Sequence, residues 1–162
     1  MVAWMMAIDS GALASASSAT AVSVLQTALT PAFLLVALGQ MLNLFSGRLT
    51  RIVDRTRTLE ARYPDTTGVE HDLIVAELRV LEKRLVTVGR AILLGVLAAI
   101  VVAMMIALLF FTGLFGASSG LVIIIAFLIA LALLTGSLLY FVREVHMATK
   151  LIHVREEYLE RD

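Results

Sequence analysis

The sequence predicts an all-α integral membrane protein, with three transmembrane helices extended into a cytoplasmic helical hairpin of coiled-coil-like character. Three observations predict it. Of the 162 residues, 60% are hydrophobic, against roughly 45–50% in ordinary soluble domains, and the mean hydropathy is +0.95. The excess is concentrated in three runs, at about residues 24–46, 91–115 and 120–142, each long enough for the roughly 20 helical residues that cross about 30 Å of hydrocarbon. Between the first two runs, apolar residues recur at alternating spacings of four and three through an otherwise charged stretch.

Residues 1–20 read as an external N-terminal tail, and 21–162 as a single three-span domain. The stretch "ALASASSATA" offers the small residues of a signal-peptide cleavage site. No positively charged segment precedes it, however, and "VAWMMAI" is short for a signal core, so the tail is expected to be uncleaved, with Trp4 on the membrane interface. The first span is the least apolar, because it contains Pro31, Gln40 and Asn43. The second and third are almost wholly Ala, Ile, Leu, Val, Met and Phe, and "TGLFGASSG" between them, residues 112–120, fits a tight turn.

Charge gives the orientation. Nine of the thirteen Lys and Arg residues lie from Arg48 to Arg90, and the other four, Arg143, Lys150, Arg155 and Arg161, follow the third span. The tail and the 112–120 turn have none. The positive-inside rule therefore puts residues 47–90 and the C-terminus in the cytoplasm, with the N-terminus and the turn outside.

The helices should continue past the membrane. Pro31, Leu35, Leu38, Leu42, Phe45, Leu49, Ile52, Thr56, Leu59 and Tyr63 form one heptad-like seam, which crosses the expected boundary near Arg48 without a break. At about 1.5 Å per residue, a helix from residue 26 to 63 is roughly 55 Å long. The seam stops at "YPDTTG", where Pro64 and Gly68 break helices. Thr67-Gly68-Val69-Glu70 then has the form of a capping box. A second seam, Ile74, Leu78, Leu81, Leu85, Val88 and Ile92, runs into the second span. Beyond the third span, Val145, Ala148, Ile152 and Leu159 keep one apolar side, which extends that helix over about 143–160.

Two features of the first helix bear on function. On a helical wheel Arg48, Arg51, Arg55 and Arg62 fall within about 60° of each other beside the seam. This row is a candidate site for an anion or a lipid headgroup; positive-inside anchoring at a helix exit is the plainer account. Asp54 and Glu60 lie close enough to Arg51 and Arg57 for local pairing. On the side opposite the seam lie Gln26, Thr30, Ala37, Gln40, Asn43 and Gly47, candidate pore-lining residues. Amides at membrane depth are costly unless they meet protein or water. They serve either as glue between helices or as the wall of a water-filled path. One copy cannot enclose a path, so the second option requires a homo-oligomer.

Little else suggests chemistry. Zero net charge argues against nucleic acid as a partner, and the absence of cysteine removes disulfides and thiolate chemistry. Asp65, Glu70, His71 and Asp72 cluster, but the capping box accounts for Glu70 and consecutive helical residues diverge, so no metal site is expected. His146 and His153 lie about 10 Å apart along a helix, too far to share one ion. Arg90, Arg143 and Glu144 mark inner ends of spans, with a contact between Arg143 and Glu144 as one option. No phosphate loop, activated nucleophile or intramembrane carboxylate pair is present, so no enzyme, catalytic residue or cofactor is expected.

"LTPAFLLVALGQMLNLFSGRLTRIVDRTRTLEAR", residues 29–62, resembles the most characteristic block of domain-of-unknown-function family 2721, small bacterial membrane proteins. "ELRVLEKRLVTVGRAILLGVLAAIVVAMMIALLFF", residues 77–111, and "REVHMATKLIHV" fit the same pattern. The resemblance spans roughly residues 20–155; its most specific part is Asn-x4-Arg-Leu followed by Asp-Arg-x-Arg. It implies a bacterial inner membrane and no activity.

The functional expectation is a homo-oligomeric ion pathway lined by the first helix, with Gln40 and Asn43 at the constriction and Arg48, Arg51 and Arg55 in an anion-favouring vestibule. One alternative is a non-conducting scaffold or regulatory subunit recruiting a protein partner through its cytoplasmic helices. Another is anionic-lipid binding through the arginine row. The partners expected are the bilayer, a second copy of the chain and anionic lipids.

Overall fold

A computed structural model describes residues 2–115 and 120–151, with side chains for 21–113 and 120–148. Three long helices account for nearly all of it: α1 (Val2–Arg62), α2 (Val69–Phe115) and α3 (Gly120–Leu151). No strand occurs among the described residues. Each helix has a stretch long and apolar enough to cross a membrane, within Ala21–Asp65, Val69–Gly113 and Gly120–Ala148. The 116–119 part of the expected turn, and everything after Leu151 including Ile152, His153 and Leu159, lies outside the described residues.

α1 starts far earlier than residue 26. Segment 1–20, expected as a tail, is helical from Val2, consistent with its many alanines and lack of proline. Pro31 lies inside α1 without ending it. Neighbouring helices accommodate the carbonyl that proline frees in a helix of this kind.

The chain divides into two compact units, one of residues 1–39 with 98–131, the other of 40–97 with 132–162. In the first, Ala28 and Leu38 are buried on α1, Ala98, Val102 and Met105 on α2, and Ala130 on α3. Half of these are alanine, which permits the close backbone approach that holds helices together where the surroundings are themselves apolar. At Gly113 the approach is close enough that any Cβ would collide with Val24. Phe33, Val36, Met104, Leu121 and Ile124 are exposed, as a lipid-facing surface would be.

The second unit has a core of Ile52, Leu59, Ile74, Leu81 and Val88, with Leu49, Leu78, Leu85 and Ile92 packed against it. These are members of the two expected seams. Phe45, Ile52 and Leu59 are buried at every seventh position of α1, and Ile74, Leu81 and Val88 at every seventh of α2. Tyr63, the last member of the first seam, is 43% exposed and ends it. Along the two helices Arg55 pairs with Glu77 and Arg62 with Glu70. Position rises on one as it falls on the other, so the helices run antiparallel.

From Val88 onward α2 is buried more broadly. Ala91 is fully buried, and a Cβ on Gly95 would sit 2.8 Å from Leu42 Cδ2 and 3.2 Å from Ser137 Oγ. α2 is here wedged between α1 and α3. Ser137, itself fully buried, donates its hydroxyl hydrogen bond to the Ala91 carbonyl at 2.6 Å.

The connection differs from the expected capping box. After a short 3-10 turn at Tyr63–Asp65, the Thr66 amide and hydroxyl both donate to the Tyr63 carbonyl, at 3.4 and 3.1 Å. Gly68 then has φ +66°. A box with Thr67 as cap needs Gly68 to be the first helical residue, and a positive φ forbids that. Gly68 itself precedes the helix, its carbonyl accepting from the Asp72 amide at 3.2 Å. Glu70 turns instead to Arg62, at 3.1 Å.

The two environments of glycine in α2 predict opposite outcomes. Gly95→Val should destabilise the fold by about 1–3 kcal/mol through overpacking. Gly89, whose Cβ position is open space, should accept alanine with a gain of up to about 1 kcal/mol. Unfolding in detergent micelles, followed by circular dichroism, checks both. Equal tolerance at the two positions would contradict the wedge.

Candidate functional site

The polar chemistry begins where the apolar runs end. On α3 the buried positions Ala130, Ser137 and Glu144 recur every seven residues, so the helical period that buries an alanine and a serine also buries a carboxylate. Glu144 is 0% exposed. A carboxylate taken out of water is tolerated only if strong donors replace its hydration. Arg84 Nη2 donates to Oε1 at 2.7 Å and Arg48 Nη1 to Oε2 at 3.3 Å. The Arg48 guanidinium carbon also lies 5.2 Å from the centroid of the Phe141 ring. That ring stacks on Phe45 at 4.4 Å and 25°. One carboxylate thus joins α1, α2 and α3, and a cation–π contact holds its weaker partner in place.

The Arg143–Glu144 contact is replaced by this arrangement. Adjacent helical residues point about 100° apart, so when Glu144 faces the core Arg143 faces out. Arg143 and Arg90 are exposed.

The remaining arginines of the row behave unequally. Arg55 makes a bidentate pair with Glu77, Nε to Oε1 at 2.7 Å and Nη2 to Oε2 at 3.1 Å. Arg62 reaches Glu70. Arg51 makes no ion pair among the described residues. Three of the four arginines expected to meet an anion are therefore engaged by carboxylates of α2 or α3. Positions that flank a seam face the flanking positions of the opposite helix, and here those carry glutamates. Asp54 and Glu60, expected to pair locally, make no ion pair among the described residues.

The polar side of α1 keeps its expected character. Gln26, Thr30 and Ala37 are exposed in the first unit, and Gln40, Asn43 and Gly47 in the second. Among the described residues neither Gln40 nor Asn43 makes a hydrogen bond, so neither is glue within a single chain. Gln40, Asn43, Leu44, Gly47, Arg48 and Arg51 line a shallow depression of about 460 Å³. In the acidic cluster near the turn, the His71 ring packs on Tyr63 with centroids 4.4 Å apart. His146 is exposed.

A larger cleft of about 810 Å³ lies between α1 and α2, with Glu144 at one end. Arg48, Arg51, Arg55 and Arg84 supply its charge, and Ile52, Leu73, Ala76, Val80 and Leu81 its apolar floor. The Nε of Arg84 is buried there without a hydrogen-bond partner. The sequence had hinted at Arg48, Arg51 and Arg55 but not at Arg84, Glu77 or Glu144 as their counterparts. A signal existed, since Glu144 follows Ala130 and Ser137 at strict seven-residue spacing. Nothing in the apolar run before it marks which of its sides faces the other helices.

A family model described as "Protein of unknown function (DUF2721)" matches residues 28–154. No curated protein and no solved structure matches the chain.

The buried triad should dominate the ion-pair energetics of the second unit. Breaking a buried pair by removing one partner costs about 3–5 kcal/mol, whereas exposed pairs are worth about 0.2–1 kcal/mol. Glu144→Ala should thus destabilise most, Arg84→Ala next, and Arg48→Ala least, since the Arg48 side chain is 39% exposed. Double-mutant cycles in micelles should give an Arg84–Glu144 coupling several times that of Arg55–Glu77. Equal couplings would show that Glu144 is not a tie between helices.

Proposed function

For this chain, which belongs to domain-of-unknown-function family 2721, we propose a homo-oligomeric ion pathway in the bacterial inner membrane, lined by the first transmembrane helix. The observation that carries the reading is the exposure, without hydrogen-bond partners among the described residues, of the Gln40 and Asn43 amides. Both lie in a helix stretch apolar enough to sit at membrane depth. Amides there are stable only against other protein or water, and no other part of the described chain provides either. Copies of α1 facing a common axis would supply both at once.

The arginines enter this reading differently from the sequence expectation. Arg48 and Arg55 are engaged by Glu144 and Glu77, so they contribute little net field to a vestibule. Arg51 lies in the same depression as Gln40 and Asn43 and is the cation left to favour anions at the mouth. The N-terminus is placed outside and residues 47–90 inside on the charge asymmetry alone.

The subunit count tests the assembly. Native mass spectrometry from nanodiscs should give a ring of about four or more copies, the number needed to enclose water around one helix from each. A monomer or dimer would end the reading. Given a ring, anion flux into liposomes should fall by at least about tenfold in Asn43→Leu, as expected when a polar constriction is made apolar and dewets. Arg51→Glu should shift selectivity toward cations. Unchanged flux in both variants would overturn the pathway.

A further inference from the structure

The cleft between α1 and α2 shares Arg48 and Arg51 with the depression on the polar side of α1, but the rest of its lining points to a different ligand. Four guanidinium groups line it and face two carboxylates, Glu77 and Glu144, so two positive charges are left over. The surplus sits toward the membrane-proximal end. Arg51 makes no ion pair among the described residues, Arg48 shares Glu144 at the longer distance of 3.3 Å, and Arg84 keeps a buried Nε without a partner. A tetrahedral phosphate oxygen array accepts from several such donors at once, and Arg forks suit it better than ammonium groups do.

Position selects the source of the phosphate. The apolar run of α1 ends just before Arg48 and that of α3 just before Arg143, so Arg48 and Glu144 mark the polar boundary. From Arg48 to Arg55 is seven residues, or about 10 Å of helix. A headgroup layer is about 5–8 Å deep, half the difference between the hydrocarbon core and the whole bilayer. The arginine end of the cleft therefore lies at headgroup depth. Its floor is apolar, with Ala76 and Leu73 exposed, and it continues from the arginines away from the membrane, where the alcohol beyond a lipid phosphate would lie. A volume of about 810 Å³ is that of a small-molecule site, not of a single phosphate.

We propose that this cleft binds the phosphate and head alcohol of an anionic phospholipid, with Arg51 and Arg84 as phosphate donors, Arg48 in support, and the alcohol over Val80 and Ala76 on the side away from the membrane. Glu144 holds Arg48 and Arg84 at the boundary, where both line the cleft.

The full-length protein in micelles, titrated with phosphatidylglycerol or phosphatidylcholine and read by native mass spectrometry, tests this. Retention of phosphatidylglycerol should exceed that of phosphatidylcholine by about fivefold or more, as expected for at least one cation acting on an anionic lipid. Arg51→Gln should remove most of that preference. Ala76→Glu, which leaves every arginine in place and lies in the cleft but not in the Gln40–Asn43 depression, should remove it as well. Helix content by circular dichroism identifies any variant that fails to fold; Ala76→Glu and Arg51→Gln serve as each other's replacement. Equal retention of the two lipids, or full preference in the folded variants, would overturn the site. Displacement of phosphatidylglycerol by equimolar inorganic phosphate would assign the cleft to a free phosphate and would equally overturn the lipid.

Discussion

The second unit depends on how a buried carboxylate is satisfied. Glu144 has no exposed surface, and an ion stripped of water costs several kcal/mol before anything is gained back. That cost fixes the positions of two arginines that would otherwise be free. Arg84 approaches to 2.7 Å and Arg48 to 3.3 Å, and each comes from a different helix. A wholly apolar replacement of the same volume would hold three helices together at least as well. What an apolar core would not do is fix one axial register among them. Seam residues spaced by seven permit a helix to slip by a heptad with modest loss, whereas such a slip would leave Glu144 without donors.

The same requirement changes the meaning of the arginine row. As sequence, Arg48, Arg51, Arg55 and Arg62 form one basic stripe beside an apolar seam, and an acidic ligand is the natural thought. As structure, they divide by what faces them. Arg55 and Arg62 meet carboxylates in exposed pairs worth little, Arg48 is drawn to a buried one, and Arg51 makes no ion pair among the described residues. A charge row on a helix is a statement about one surface. The field it makes depends on the surface opposite, which belongs to another helix, eight residues away for Arg62, 22 for Arg55 and 96 for Arg48.

This explains what was legible in the sequence. The seams could be read because burial follows a fixed helical period: Phe45, Ile52 and Leu59 are buried as their spacing demands. The turn was located by Pro64 and Gly68, although its cap was misassigned. The motif Thr67-x-x-Glu70 is compatible with a capping box, but the sign of a glycine φ is not written in its neighbours. The start of α1 was missed because an alanine- and serine-rich segment without a stripe has propensity but no pattern. The pairing of Glu144 was missed for a similar reason. In a run that is apolar on every side, no amphipathic contrast shows which residues face protein and which face lipid.

That ambiguity is absent on α1, and the contrast is informative. Its seam side and its polar side are both distinct, and they are opposite each other. The seam is consumed within the chain, by α2 and at Phe45 by α3. The polar side carries two amides that find no hydrogen-bond partner among the described residues. In water such a side needs no explanation. In a helix that exposes Phe33, Val36 and Leu44 beside them, lipid would leave the amides unsatisfied at a cost of several kcal/mol each. Packing within one chain has already been settled by the seam, so relief must come from outside it. A second copy presents the same amides, and amides are both donors and acceptors, so identical faces complement one another, whether directly or through shared water. The proposed assembly follows from what this helix leaves unsatisfied, and the number of copies decides whether water comes with it.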